Sequence, residues 1–560
     1  MESMKWKKWV KVSTLAVSLT ALLLTGCSQN SNSAPSETNT KQVSGKTDPS
    51  PEAVEERGKI TTSIYDRNNI PPEEGSWDKN RWTEWINKEG PADVKFITVP
   101  RWESLQKFNT LFASSAAPDL ILEYDTGYRN QWYGQKLLAP IDDMVEQYST
   151  TYKQLMEQFP QLRKLGTKED GKLYEIGRVY PLNAGHIIYI RQDWLEKLKL
   201  EMPKTAEEFL EVAKAFASQD PDGNSKNDTF GLNLSGNGFS IISHMFGFGE
   251  VMWRFEGDQF VHEWDRQKDA VVFQKELFDA GVADKDFLAD KNGEKAKQDF
   301  LSGKLGMYLH QSINESDYDT FKQNNKDGKL SILPLPSTQY GQFSPVIGSP
   351  IQMIGVVNAA AKNQKALMEY IDFMIQPENA RTIQSGIEGE HWQKDANSCP
   401  TPIDPEKNKI EASYTGDLGM MASHLLFGKC AFAAQKPQNT ETQIAIRDLA
   451  VQANEAYLSK EQPIPTLKPE YLPVLSQELS MIVTNVSQQI KDYWLKAIVS
   501  GGSYTAEQAY TDAKSLWDGA GGSKVDEFYQ QWYAENKSKA FLLEDLYQFG
   551  DDAVRLYSNK

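Results

Sequence analysis

Lys59-Ile60-Thr61-Thr62-Ser63-Ile64-Tyr65, Val94-Lys95-Phe96-Ile97-Thr98-Val99 and Asp119-Leu120-Ile121-Leu122 are three short runs rich in Ile, Val, Thr and Phe, and their order decides the fold class. β-Branched and aromatic residues suit a pleated, buried surface, so each run reads as a strand. Between them, Trp82, Trp85 and Ile86, and then Leu105, Phe108 and Phe112, recur at helical spacing. Strand, helix, strand, helix, strand predicts an α/β fold with a parallel sheet. In such sheets ligands collect beyond the carboxyl ends of the strands. That rule singles out Tyr65-Asp66, Pro100-Arg101-Trp102 and Glu123-Tyr124-Asp125. Each alone is better explained by a helix cap, a staple or a surface loop; as a set at one sheet edge they favour recognition.

The pattern repeats further along. His186 to Ile190 is apolar and β-branched, and Arg191-Gln192-Asp193-Trp194-Leu195 turns into a helix with Asp193 as the expected N-cap. Thr205 and Glu208, three apart, form a capping-box pattern before a helix whose apolar face is Phe209, Leu210, Ala213, Phe216 and Ala217. With 560 residues the chain exceeds the ~250–300 at which single cores stop growing, so two or more lobes are expected. Gln352 to Val357 reads as a buried strand returning to the first sheet, with Ala359 to Met374 as the helix after it. Helical patterns follow at Leu472 to Ile498 and Ala506 to Trp517.

Asp220-Pro221-Asp222-Gly223-Asn224-Ser225-Lys226-Asn227-Asp228 places oxygen side chains at positions 1, 3, 5 and 9, with the Lys226 carbonyl at position 7. This is the spacing of an EF-hand-type calcium loop, which offers a hard cation six to eight oxygens. Ser225 stands at position 6 where the motif has Gly, and Gly231 at position 12 where it has a bidentate Glu. The competing reading is a turn-rich surface loop. Calcium, as a structural clip, is the favoured one.

A net charge of −17 and a pI near 5.0 argue against nucleic acid, which is bound through clustered Lys and Arg. Three cysteines occur. Cys399 and Cys430 are either a disulfide or two free thiols. The third, Cys27, follows Lys5, Lys7, Lys8 and Lys11, an apolar run from Leu15 to Leu24, and Thr25-Gly26. A basic head, a short apolar core and small residues before a cut mark a secretory signal, too short for a permanent membrane span. Leu24-Thr25-Gly26-Cys27 resembles the bacterial lipobox, which implies that residues 1–26 are removed and that Cys27 is lipidated. Ser28 to about Glu56 is polar and Pro-containing, as in a flexible tether, so residues 27–58 are expected to link the anchor to the folded body.

Ile188 to Leu195, Pro203-Lys204-Thr205, the Asp-rich loop, Phe300-Leu301-Ser302-Gly303-Lys304-Leu305-Gly306-Met307, Met368 to Phe373 and Gly386 to Trp392 together resemble the large lipoprotein members of the extracellular solute-binding proteins of ABC importers. The resemblance covers about Ile60 to Trp392 and is strongest to carbohydrate binders, including alginate-oligosaccharide binders. It implies a two-lobed type II periplasmic-binding-protein fold with a hinge; from where the chain crosses, lobe 1 is expected to be residues 59–185 plus 351–392 and lobe 2 residues 191–349 plus much of 399–560. It also implies calcium at Asp220, Asp222, Asn224, the Lys226 carbonyl and Asp228, with Thr229 standing where the alginate binders offer a further acidic ligand. The partners it implies are an oligosaccharide and the permease subunits of an ABC importer. The protein is then a monomer held by lipid at the extracellular face of the cell membrane.

A sugar site needs flat aromatic platforms beside bidentate polar groups. Trp102, Tyr124, Trp253 and Trp392 are the candidate platforms, with Arg101, Asp125, Arg191 and His391 as polar partners. For each aromatic alone, core packing is the default. Arg101, Arg129, Arg191 and Arg254 suit an acidic sugar or, equally, pair with the protein's own carboxylates; the balance leans to a neutral or mixed oligosaccharide. The rival class is a lipid-anchored polysaccharide-degrading enzyme, which needs only two suitably spaced carboxylates. Gly-x-Ser-x-Gly, His-Glu-x-x-His and phosphate-loop motifs are absent. A third reading is a lipoprotein that acts on another protein.

Overall fold

The computed structural model describes residues 57–249, 252–256, 259–464, 471–538 and 540–559. The leader, Cys27 and the tether to residue 56 lie outside the described residues. The strands are β1 (Gly58–Asp66), β2 (Ala92–Pro100), β3 (Leu120–Leu122), β4 (Glu175–Val179), β5 (Ile187–Arg191), β6 (Phe230–Leu232), β7 (Trp253–Glu256), β8 (Gln259–His262), β9 (Leu305–His310), β10 (Leu330–Ile332), β11 (Ile351–Val357), β12 (Trp392–Lys394) and β13 (Pro400–Pro402).

A five-stranded sheet runs β2-β1-β3-β11-β4. β1 and β2 pair in parallel from Gly58 opposite Ala92 to Asp66 opposite Pro100, and β3 is parallel to β1. β11 is antiparallel to both β3 and β4. β1, β2, β3 and β4 therefore all end at one edge. The helix Arg81–Glu89 starts where the Asn80 side chain accepts from the Trp82 and Thr83 amides, and it buries Trp82 and Ile86; Ser104–Ala113 buries Phe108. On the helix Gln364–Ile375, buried Asp372 accepts from Ser149 Oγ and from the backbone amides of Thr150, Thr151 and Tyr152. It thereby caps the neighbouring helix Thr151–Gln158 from another element.

A four-stranded sheet runs β10-β5-β9-β6. Strand alternation divides its two faces. Ile188, Ile190, Met307 and Leu309 join a core with the helices Ala206–Ser218, Asp265–Asp279 and Gln477–Val499, whereas Ile187, Tyr189 and Tyr308 join another with Phe300, Phe321 and Tyr457. A sheet buried on both faces explains the near-continuous apolar reading of β5. Between the sheets the chain crosses as two paired segments. Gly185 and His186 donate their amides to the Val346 carbonyl, and Gly348 donates to that of Asn183.

The C-terminal third is shared between the lobes, so residues 399–560 do not belong to lobe 2 alone. Tyr414, Leu418, Met420 and Leu425, and then Leu546, Phe549 and Ala553, pack into the core of the first sheet. Helices from Gln477 to Asn536 pack on the second. Periodicity shows that a helix has an apolar face without saying which core receives it. Asp193 is corrected too. It lies inside the helix Gln192–Leu198, not at its cap, and its carboxylate pairs with Arg191 at 2.6 Å. Cys399 and Cys430 form a disulfide with Cα atoms 5.5 Å apart. Among the described residues, no helix is long and apolar enough to cross a membrane.

Candidate functional site

Beyond the common edge of β1, β3 and β4 lies a crevice of about 320 Å³. Arg67 enters it after β1, Tyr124 after β3, and Arg178 and Tyr180 from the end of β4. Its opposite wall is Ser413 to Gly419 with His424, and Gln384 closes one end. That wall is fixed through side chains. Arg67 donates to both oxygens of buried Asp417, at 2.6 and 3.1 Å. The Tyr414 hydroxyl donates to Glu74 at 2.8 Å, and Arg81 grips Glu74 through two donors and pairs with Glu411 as well. Arg178 donates to the Met420 carbonyl at 2.6 Å and, from its other side, to the Gln352 amide oxygen of its register partner on β11. The disulfide at residues 399 and 430 encloses this wall.

Aromatic rings cluster at this edge. Tyr65 and Tyr124 stack with centroids 5.9 Å apart. Arg101 lies 4.9 Å from the Tyr65 ring centre and 5.6 Å from that of Tyr124, while Arg178 lies 5.5 Å from Tyr124 and 4.8 Å from Tyr180. Both guanidiniums thus lie within cation–π range of Tyr124. His424 packs 4.2 Å from Tyr180, and burial, then the Arg178 charge, push its pKa down to about 4. It is neutral at pH 7, its Nε2 lying 2.9 Å from the Gln384 amide nitrogen. Burial and the Glu123 carboxylate raise the Tyr65 hydroxyl well above its ordinary value, so it stays a neutral phenol. Trp102, after β2, is 83% exposed and borders an open groove with Leu105 and Tyr128.

Arg101, Trp102 and Tyr124 of the sequence-predicted set thus come together at this edge. Asp125, beside them, spends its carboxylate on the Tyr128 amide as the N-cap of Thr126–Gly134. Of the eight, Tyr124 alone lines the crevice, and the other four are engaged internally. Arg191 is buried, paired with Asp193 and stacked over Trp194. Trp253 is buried, donates to Asp526 at 2.7 Å and packs on Tyr529 and Trp517. His391 is buried between the Ile387 amide and Glu411, and Trp392 donates to the Gly386 carbonyl. Sequence reading missed Arg67, Arg178, Tyr180, Asp417 and His424. Arg178 alone carried a signal, as a cation inside the otherwise apolar run Ile176 to Val179.

In the Asp-rich loop, Ser225 takes φ +60°, the left-handed conformation that the motif's Gly supplies. Asp222 and Asp228 converge on one point, the Asn224 side-chain nitrogen, at 2.7 and 3.0 Å. One Asp220 oxygen is buried without a hydrogen-bond partner. Burial and the adjacent Asp220 and Asp228 raise the Asp222 pKa, as expected where negative groups gather without a cation. The donor set fits calcium. Gly231 has a packing reason, since a Cβ there would stand 2.4 Å from the Ala213 carbonyl oxygen, and Thr229 is turned inward to the Phe216 carbonyl.

The bacterial extracellular solute-binding protein family matches residues 71–381. Lipoprotein LipO of Bacillus subtilis is 26% identical over 403 residues, covering 69% of this chain and 74% of LipO. The polygalacturonan/rhamnogalacturonan-binding protein YtcQ of the same organism is 27% identical, covering 56% of this chain and 64% of YtcQ. Among solved structures, the Streptococcus pneumoniae substrate-binding protein FusA in complex with kestose superposes with a TM-score of 0.65 at 18% identity, covering 86% of this chain and 99% of that one. A solute-binding protein from Bifidobacterium longum infantis gives 0.68 at 17%, with 86% and 99% covered. These likenesses carry the two-lobed fold, and the family match spans more than half of the sequence: the chain belongs to the bacterial extracellular solute-binding proteins.

Proposed function

We propose that the protein captures an oligosaccharide and delivers it to an ABC importer, tethered by lipid on Cys27 at the extracellular face of the cell membrane and acting as a monomer. The observation that carries this reading is the crevice at the carboxyl edge of the first sheet, where Tyr124, Tyr180, Tyr414 and polar side chains face one space. Aromatic faces suit the C–H face of a pyranose or furanose ring, and Arg, Asp, Gln and Ser suit its hydroxyls. Family and relatives agree, since YtcQ and FusA are named for binding oligosaccharides or their polymers. Hinge closure about the paired segments near Gly185 and Val346 follows if the ligand makes more contacts in the closed form.

A binding role also fits the chemistry. Asp417 is the one carboxylate lining the crevice, and Arg67 holds it in a bidentate pair. Glycoside hydrolysis needs two carboxyls, one of them able to give up a proton. Asp220, Asp222, Asn224, the Lys226 carbonyl and Asp228 would hold a calcium ion as a structural clip, neutralising converging carboxylates. Calorimetric titration of the protein from residue 28 onward against neutral and acidic oligosaccharides, with product analysis, tests the whole. Saturable binding without cleavage supports it, and cleavage products refute it.

A further inference from the structure

Among the described residues three arginines are buried, and they are not treated alike. Arg129 pairs with Glu175 at 3.2 Å, and Arg191 with Asp193 at 2.6 Å. Arg178, only 8% exposed, has no carboxylate at all. Its acceptors are the Gln352 amide oxygen and the Met420 carbonyl, and its plane lies near Tyr124 and Tyr180. Desolvating a guanidinium costs several kcal/mol, which a fixed anion ordinarily offsets. With 77 acidic against 60 basic residues, this chain had no shortage of anions to place there. The nearby histidine contributes no charge, and Asp417 is already held by Arg67.

Arg178 opens onto the crevice. Arg101, at the same edge, is likewise without a carboxylate and stacks on the Tyr124 ring that Arg178 also faces. The two cations are therefore no farther apart than the sum of their distances to that ring. A neutral sugar would leave Arg178 buried beside neutral acceptors. A planar carboxylate matches the guanidinium fork and supplies the missing charge.

Resting on the oligosaccharide-binding reading above, we propose that the ligand is a uronate-containing oligosaccharide, with one carboxylate taken by Arg178 and another by Arg101. This departs from the neutral or mixed sugar favoured by the sequence, because three of the four arginines noted there, Arg129, Arg191 and Arg254, are paired with Glu175, Asp193 and Glu263.

The test is titration of the protein from residue 28 onward with an oligogalacturonate trimer, its carboxyl-reduced neutral counterpart and a sulfated counterpart. The trimer should bind more tightly than the reduced form by about 30-fold or more, with affinity falling as salt rises. Arg178→Gln should cut that preference about threefold or more, leaving the part that Arg101 supplies. Because Arg178 also ties β4 to the wall, Arg101→Gln, at a position that donates to no protein group here, is the second variant, expected to weaken trimer binding about 10-fold while leaving the melting temperature in place. Equal binding of trimer and reduced trimer, or preference for the sulfated form, overturns the uronate assignment and leaves the solute-binding reading standing. Failure of every sugar overturns both.

Discussion

Trp102 holds its indole in water beside a groove at the sheet edge, at a cost in exposed apolar surface that core packing would have avoided. Trp102→Ala should leave the melting temperature within about 1 °C and weaken sugar binding about 10-fold, read by calorimetry. His424 predicts a pH effect with a definite sign. Its folded pKa of about 4 lies below its unfolded value, so the unfolded chain takes up the proton first. Its contribution is present above about pH 6.5 and is lost as pH falls toward 4, by a few kcal/mol at most, and His424→Gln should flatten the denaturant midpoint over that window. At this scale the sequence was a partial guide. The rule of carboxyl ends placed Arg101, Trp102 and Tyr124 at one sheet edge, because it depends only on strand order. Trp253 is buried by distant residues, because a loop-like neighbourhood of Gly and charge says nothing about whether a ring is later covered by Asp526 and Tyr529 from 270 residues away.

Elements were more legible where local pattern and burial agree. β1, β2, β3, β5 and β11 occupy the stretches their apolar runs predict, and the Thr205 cap accepts from the Glu208 amide as its spacing requires. Caps supplied from a distance were invisible. Asp372→Ala should strip three backbone amides and two hydroxyls of their acceptor and destabilise the first lobe by about 2–4 kcal/mol, measured as a lower urea midpoint. In the loop from Asp220 to Asp228 the oxygen spacing was legible, and at its first departure Ser225 takes the left-handed conformation that a Gly would supply. On the calcium reading, chelation should lower the melting temperature of the intact protein by several degrees, calcium but not magnesium should restore it, and Asp222→Asn should remove the response.

For the whole molecule, two lobes followed from length and from the repeated strand-helix units, but the return of the C-terminal third to the first lobe did not, because only tertiary packing decides which core Phe549 or Tyr414 enters. One wall of the crevice therefore comes from a segment more than 200 residues beyond the last strand-edge residue it faces, and the bond between Cys399 and Cys430 encloses it. In the chain-entropy view, opening a loop of 31 residues releases about 3–4 kcal/mol of constraint on the unfolded segment. Reduction, or Cys399→Ser with Cys430→Ser, should weaken sugar binding and speed proteolysis between residues 399 and 430 while the second lobe keeps its protection. The timing of maturation follows from the same bond. Thiols remain apart in a reducing cytosol, so a newly made chain would carry an unfinished wall there, and on the proposed function its hold on the cell's own sugars would be weaker before export than after.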